Sequence, residues 1–168
     1  MAAHAGRDAR RSAVDPEPRI LPLSSARPHS VRALVEAAVG RQAAAHASVR
    51  VSLDAGMGAE IETDPAVIRD LLEPLVAAAF ANAAAGPEQA TDGPSLHEVD
   101  VAVVGTADAI EVEIADSGPD QPATDRIPAT VRELAARCGA ELTLTRCASG
   151  GAAVTVRFPR LGARRQAA

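Results

Sequence analysis

The sequence predicts an α+β fold: a two-layer sandwich with about three helices on one face of a mixed, mostly antiparallel sheet. Three observations predict it. Val99, Val101 and Val103 alternate with polar or small residues before the turn Gly105-Thr106-Ala107-Asp108, and Ile110, Val112 and Ile114 do so after it. Period two on both sides of a Gly/Asp turn reads as an antiparallel hairpin with one buried face. Helical spacing begins after Ser30, after Asp64 and at Ala129. The resulting order is helix, hairpin, helix, hairpin, helix, hairpin. Runs of antiparallel strands separated by helices indicate α+β, with the helices layered on one face.

Each element has its own local cause. Ser30 is a helix N-cap, and Val31, Leu34, Val35, Ala38 and Val39 follow at helical spacing, with the helix ending near His46. Val49, Val51 and Leu53 alternate as a strand. Gly56-Met57-Gly58 then turns the chain into Glu60-Ile61-Glu62-Thr63, so these two segments are expected to pair as a hairpin. Asp64-Pro65 starts a second helix with a capping carboxylate and a proline at its first position. Its inner face is Ile68, Leu71, Leu72, Leu75, Val76, Ala79 and Asn82, and Pro74 inside it predicts a kink. Gly86-Pro87 ends it. The Val99–Gly118 stretch follows, then a loop with three prolines, then a helix over Ala129–Cys138 with Gly139 as its stop. Ala140, Leu142 and Leu144, and then Val154, Val156 and Phe158, alternate as the last two strands. Arg19–Leu23 is expected to form a short edge strand, because Pro22 suits an edge.

The domain is expected over residues 19–160, between an Ala/Arg/Pro-rich arm without periodicity (1–18) and a tail (161–168), both expected to be disordered. A chain of 168 residues can bury a real core. With Phe80 and Phe158 as its only aromatic residues besides histidine, that core must be aliphatic. The scarcity of aromatic rings and the net charge of −5 argue against nucleic-acid binding. Cys138, Cys147 and four scattered histidines do not make a zinc site. Reduced thiols are expected, although the spacing also allows a disulfide. No apolar run is long enough to span a membrane and the N-terminus has no signal-peptide core, so a cytoplasmic protein is expected.

Taken alone, Asp116-Ser117-Gly118 reads as an ordinary turn. Three segments together say more: Ile61-Glu62-Thr63-Asp64 leading into the helix that ends Phe80-Ala81-Asn82-Ala83; Ile114-Ala115-Asp116-Ser117-Gly118-Pro119; and Cys138-Gly139-Ala140-Glu141-Leu142 through Ser149-Gly150-Gly151 to Val156-Arg157-Phe158-Pro159. In this order they resemble the ATP-binding domain of sensor histidine kinases and its relatives, the GHKL group with the Bergerat-type ATPase fold. These relatives include gyrase, the mismatch-repair and heat-shock ATPases and the anti-sigma serine kinases. The resemblance covers about Leu21 to Pro159. It implies that Asp116, in the place of the DxGxG aspartate, accepts a hydrogen bond from the adenine amino group. It implies that Gly118 lets the backbone approach the ligand, and that Asn82 helps hold magnesium, which prefers hard oxygen ligands.

The departures are equally specific. Asp120 stands where the second glycine of DxGxG belongs, and Ala78 where a second asparagine or a glutamate base belongs. No glycine-rich lid segment follows Asp120. Only about ten residues, 121–130, precede the next helix. There is no dimerisation helix pair with a phosphorylatable histidine, since His29 lies before a helix start. Glu73, the nearest carboxylate, should point to another helix face. No catalytic residue is identified, because a general base needs a carboxylate or histidine within reach of its nucleophile. The resemblance with these departures implies a histidine-kinase-like module of bacterial two-component-type signalling that has lost phosphotransfer. Such a pseudo-kinase would bind a signalling protein: a receiver domain, a kinase or a regulator. The alternative is an ATP-binding kinase, with ATP and magnesium as cofactors, that acts on a separate protein as histidine kinases or anti-sigma serine kinases do. A structural α+β domain with coincidental wording is the third reading.

Overall fold

The computed structural model describes residues 29–56, 58–86, 97–119, 126–147 and 151–160. The expected strand at Arg19–Leu23, the arm, the tail and Asp120 lie outside these residues. The elements run β1 (His29–Ser30), α1 (Val31–Ala45), β2 (Arg50–Ala55), β3 (Glu60–Ile61), α2 (Pro65–Ala84), β4 (Glu98–Gly105), β5 (Ala109–Asp116), α3 (Ala129–Cys138), β6 (Glu141–Arg146) and β7 (Ala152–Pro159). A five-stranded sheet has the order β2-β4-β5-β7-β6, and β1 and β3 form a separate two-stranded ribbon. The pairs β4–β5, β5–β7 and β6–β7 are antiparallel, and β2–β4 is parallel. Among the described residues, the fold is therefore an α+β sandwich with a mixed, mostly antiparallel sheet and the three helices named above.

The helix ends form where the local chemistry puts them. Ser30 Oγ accepts the Ala33 N–H at 3.3 Å, and Asp64 Oδ1 accepts that of Ala66 at 2.9 Å. Gly139 ends α3 at φ 71°, the left-handed conformation that relieves a helix C-terminus. The helix α2 runs through Pro74. That ring supplies no N–H to the Asp70 carbonyl one turn earlier.

One pairing differs from the sequence expectation. The segments around Leu53 and Ile61 do not form a hairpin. Instead β3 pairs with β1, and Val31 N–H closes onto the Ala59 carbonyl at 2.9 Å, so β3 is tied to the start of α1. The strand β2 instead lies parallel to β4, with α2 as part of the crossover that a parallel pair requires. Alternation shows that a strand has one buried face, and it does not name the partner.

Register places one inner face across the sheet. Val51 and Leu53 lie beside Val99 and Val101; Val103, Val101 and Val99 face Val112, Ile114 and Asp116; and Val112 and Ile114 face Val156 and Val154. The helix α2 packs on β4 and β5 and is flanked by α1 and α3. As the composition requires, the core is aliphatic, with Phe80 and Phe158 fully buried in it.

Candidate functional site

The site follows from strand parity. Ile110, Val112 and Ile114 point inward from β5, so Asp116, two residues on, also points inward, and it is only 5% exposed. A carboxylate at an inward position must be matched by donors, since an unpaired buried charge is strongly unfavourable. Three groups supply them. Asn82, on the sheet-facing side of α2, donates Nδ2 to Asp116 Oδ1 at 2.6 Å. The Gly118 backbone N–H donates to the same oxygen at 2.9 Å. Arg126 donates Nη1 to Asp116 Oδ2 in a buried ion pair. Its Nη2 reaches the Pro119 carbonyl at 3.0 Å, and Asn82 Nδ2 reaches that carbonyl at 3.3 Å. Charge-assisted bonds of this kind are shorter and stronger than neutral ones.

The structure thus brings the three expected residues, Asn82, Asp116 and Gly118, into one corner. The sequence reading missed the fourth, Arg126. A signal for it existed: an inward aspartate at the end of an alternating strand calls for a cation, and Arg126 is the first cation after Asp116 in the chain.

The corner is closed by packing as well as by charge. A Cβ on Gly118 would collide with the side chain and carbonyl of Asn82, and one on Gly151 with the Asp116 carbonyl. Gly118 therefore lets protein approach protein, where the family comparison assigned that space to a ligand. Ser117 Oγ accepts the Glu98 N–H at 2.8 Å and Ser117 N–H donates to the Glu98 carbonyl at 3.0 Å, which pins the turn to the start of β4. Cys147 lies near this corner; desolvation first, and then the Asp116 carboxylate, push its thiol pKa up from the ordinary value. Cys138 and Cys147 are both free thiols.

Two polar atoms of the corner are buried without a partner: Asn82 Oδ1 and Arg126 Nε. The opposite amide orientation at Asn82 would set Oδ1 against a carboxylate, so the network fixes the orientation. Each orphan costs on the order of 1–3 kcal/mol. The corner is therefore held by strong bonds but is not fully satisfied.

The arrangement can be tested against adenine and magnesium. An adenine amino group needs an accessible acceptor on Asp116. Oδ1 already takes two donors, Oδ2 takes the guanidinium, and the residue offers no open face. Asn82 Oδ1 has the chemistry of a magnesium ligand, but the residue is only 4% exposed and is turned into the protein by its bond to Asp116. As arranged, these residues do not fit the nucleotide. Ala78 supplies no acid or base one turn before Asn82. Glu73 is paired with Arg41 on α1, away from this corner. Among the described residues no cluster of His, Cys, Asp and Glu is placed to hold a metal.

No protein-family model and no curated relative matches the sequence. Solved structures do match the fold. The ATP-binding domain of PrrB from Mycobacterium tuberculosis aligns with a TM-score of 0.66 at 21% identity, over 82% of this chain and 98% of that one. The mycobacterial sensor histidine kinase MprB aligns at 0.62 and 15%, over 79% and 96%. The catalytic domain of the histidine kinase ThkA aligns at 0.63 and 12%, over 80% and 95%. At these identities the likeness is one of fold, and the fold is that of the ATP-binding domain of histidine kinases.

Proposed function

We propose that this domain is a pseudo-kinase: a histidine-kinase-fold module in bacterial-type signal transduction that binds a protein partner and has given up nucleotide chemistry. One observation carries the reading. The carboxylate that would receive adenine is spent on Arg126, Asn82 and the Gly118 N–H, inside the protein. The missing acid or base at Ala78 and the absence from the sequence of a glycine-rich lid agree with it. The partner is a signalling protein, namely a receiver domain, a kinase or a regulator, met in the cytoplasm. No helix among the described residues is long and apolar enough to cross a membrane.

The test is a calorimetric titration of ATP with and without magnesium, repeated on Asp116→Asn. The expected result is no saturable binding up to millimolar ATP in either protein. Micromolar, magnesium-dependent binding that Asp116→Asn abolishes would overturn the proposal. It would favour an ATP-dependent kinase acting on a separate protein, a reading to which the unpartnered Asn82 Oδ1 lends its one specific support.

A further inference from the structure

We infer that Arg126 is an intramolecular latch, a guanidinium that occupies the Asp116 carboxylate in place of a planar amino-heterocycle and must leave before such a ligand can bind. The inference rests on the reading of Asp116 just proposed and adds the regulation of that site.

The chemistry is one of equivalent donors. A guanidinium presents planar N–H groups in a fixed fork to a carboxylate. The amino edge of an aminopurine presents a planar N–H of the same kind. Arg126 uses this fork on two acceptors of the corner, Asp116 Oδ2 and the Pro119 carbonyl. The two groups therefore compete for one carboxylate.

Two further observations make this a latch and not only a core ion pair. First, the occupancy is imperfect. Arg126 Nε and Asn82 Oδ1, a donor and an acceptor, are both buried and unpaired in the latched state. Leaving the corner returns Nε to water, and it vacates Asp116 Oδ2, the acceptor that an incoming amino group needs. Second, Arg126 comes from neither of the two elements that carry its partners in the corner. Asp116 belongs to β5 and Asn82 to α2, whereas Arg126 lies just before α3. The N-cap of α3, Pro128, makes no side-chain capping bond. The approach to α3 is tied to the corner through Arg126 and to the core through the buried Ile127, while the carboxylate and the amide stay on the sheet and helix that define the core. Withdrawal of Arg126 would leave the acceptor in place.

A ligand that needs the open state binds with an affinity reduced by the open fraction. The experiment compares full-length wild type, Arg126→Ala and Arg126→Lys by titration with magnesium-ATP and by thermal shift, with the double variant Arg126→Ala, Asp116→Asn as control. Lysine keeps the charge but loses the fork, so it carries the test if the alanine variant melts below the assay temperature. The expected result is a gain in ATP affinity of about tenfold or more in Arg126→Ala, a smaller gain in Arg126→Lys, and none in the double variant. Methylguanidinium should raise the melting temperature of Arg126→Ala and compete with ATP. Folded Arg126 variants that bind ATP no better than wild type overturn the latch. If wild type is then also silent, the pseudo-kinase reading stands alone. If all bind equally well, both fall.

Discussion

At the residue scale, three glycines separate two kinds of constraint. Gly139 has φ 71° with nothing near the position of a Cβ, so its constraint is conformational alone. Gly118 has no left-handed φ, but a Cβ there would meet Asn82. Gly151 has both, φ 72° and the Asp116 carbonyl in the way. Gly139→Ala should cost about 1–2 kcal/mol, the penalty for an L-residue in left-handed backbone. Gly118→Ala should cost about 1–3 kcal/mol by overpacking, and Gly151→Ala should cost more than either, since both penalties apply. Urea unfolding of the three variants checks the order. An effect at Gly118 well below about 1 kcal/mol would mean that Asn82 can yield, and that the corner is slacker than its contacts imply. Asn82 was legible at this scale because helical spacing puts it on the inner face of its helix, whereas Asp116 was legible only through the family resemblance, since its segment alone reads as a turn. Arg126 was not, because the Pro/Asp-rich stretch of sequence that precedes it has no hydrophobic periodicity from which a direction could be read.

At the element scale, the β4–β5 hairpin was legible with its turn, apart from Gly105, which belongs to β4, because the turn chemistry is local. Thr106 N–H closes onto the Ala109 carbonyl at 2.8 Å, and Thr106 Oγ1 donates to Asp108 Oδ1 at 2.8 Å. The strand β7 reinforces the turn, since Arg157 Nη2 donates to Asp108 Oδ2 at 2.8 Å and also pairs with Glu111. The Thr106 hydroxyl first, the backbone next and then the Arg157 charge hold the Asp108 carboxyl below its ordinary value of 3.8. A carboxyl whose pKa is depressed on folding contributes stability above the unfolded value and loses it as pH falls through the folded one. Wild type should therefore lose stability relative to Asp108→Asn as pH drops below about 3.8, a trend that thermal melts across acid pH would reveal. Identical acid profiles would show that the turn holds without that carboxylate. The β2–β3 hairpin failed as a sequence reading for the opposite reason. Its alternation was real, but β2 found its partner across a long crossover and β3 found its own before α1, and no local pattern records such long-range choices.

At the scale of the whole molecule, the position of Asp116 decides how the corner can behave. It ends β5, the central strand of the sheet, with β4 on one side and β7 on the other. Strands β2 and β6 are the edges, and the β1–β3 ribbon stands apart. Local opening is least favourable where strands are paired on both sides over a buried face and easiest at edges and short ribbons. Amide hydrogen exchange should therefore be slowest in β5, faster in β6, and fastest in β1 and β3. The same gradient gives the latch its geometry: an acceptor fixed on the most protected strand and a donor on the segment leading into α3. In Arg126→Ala, exchange should accelerate at Gly118 and in the first turn of α3, around Val131, while β5 amides from Ile110 to Ile114 keep their protection. Loosening that spreads into β5 would mean that the ion pair holds the sheet itself. Arg126 would then be part of the core, and its removal would unfold the corner without opening it.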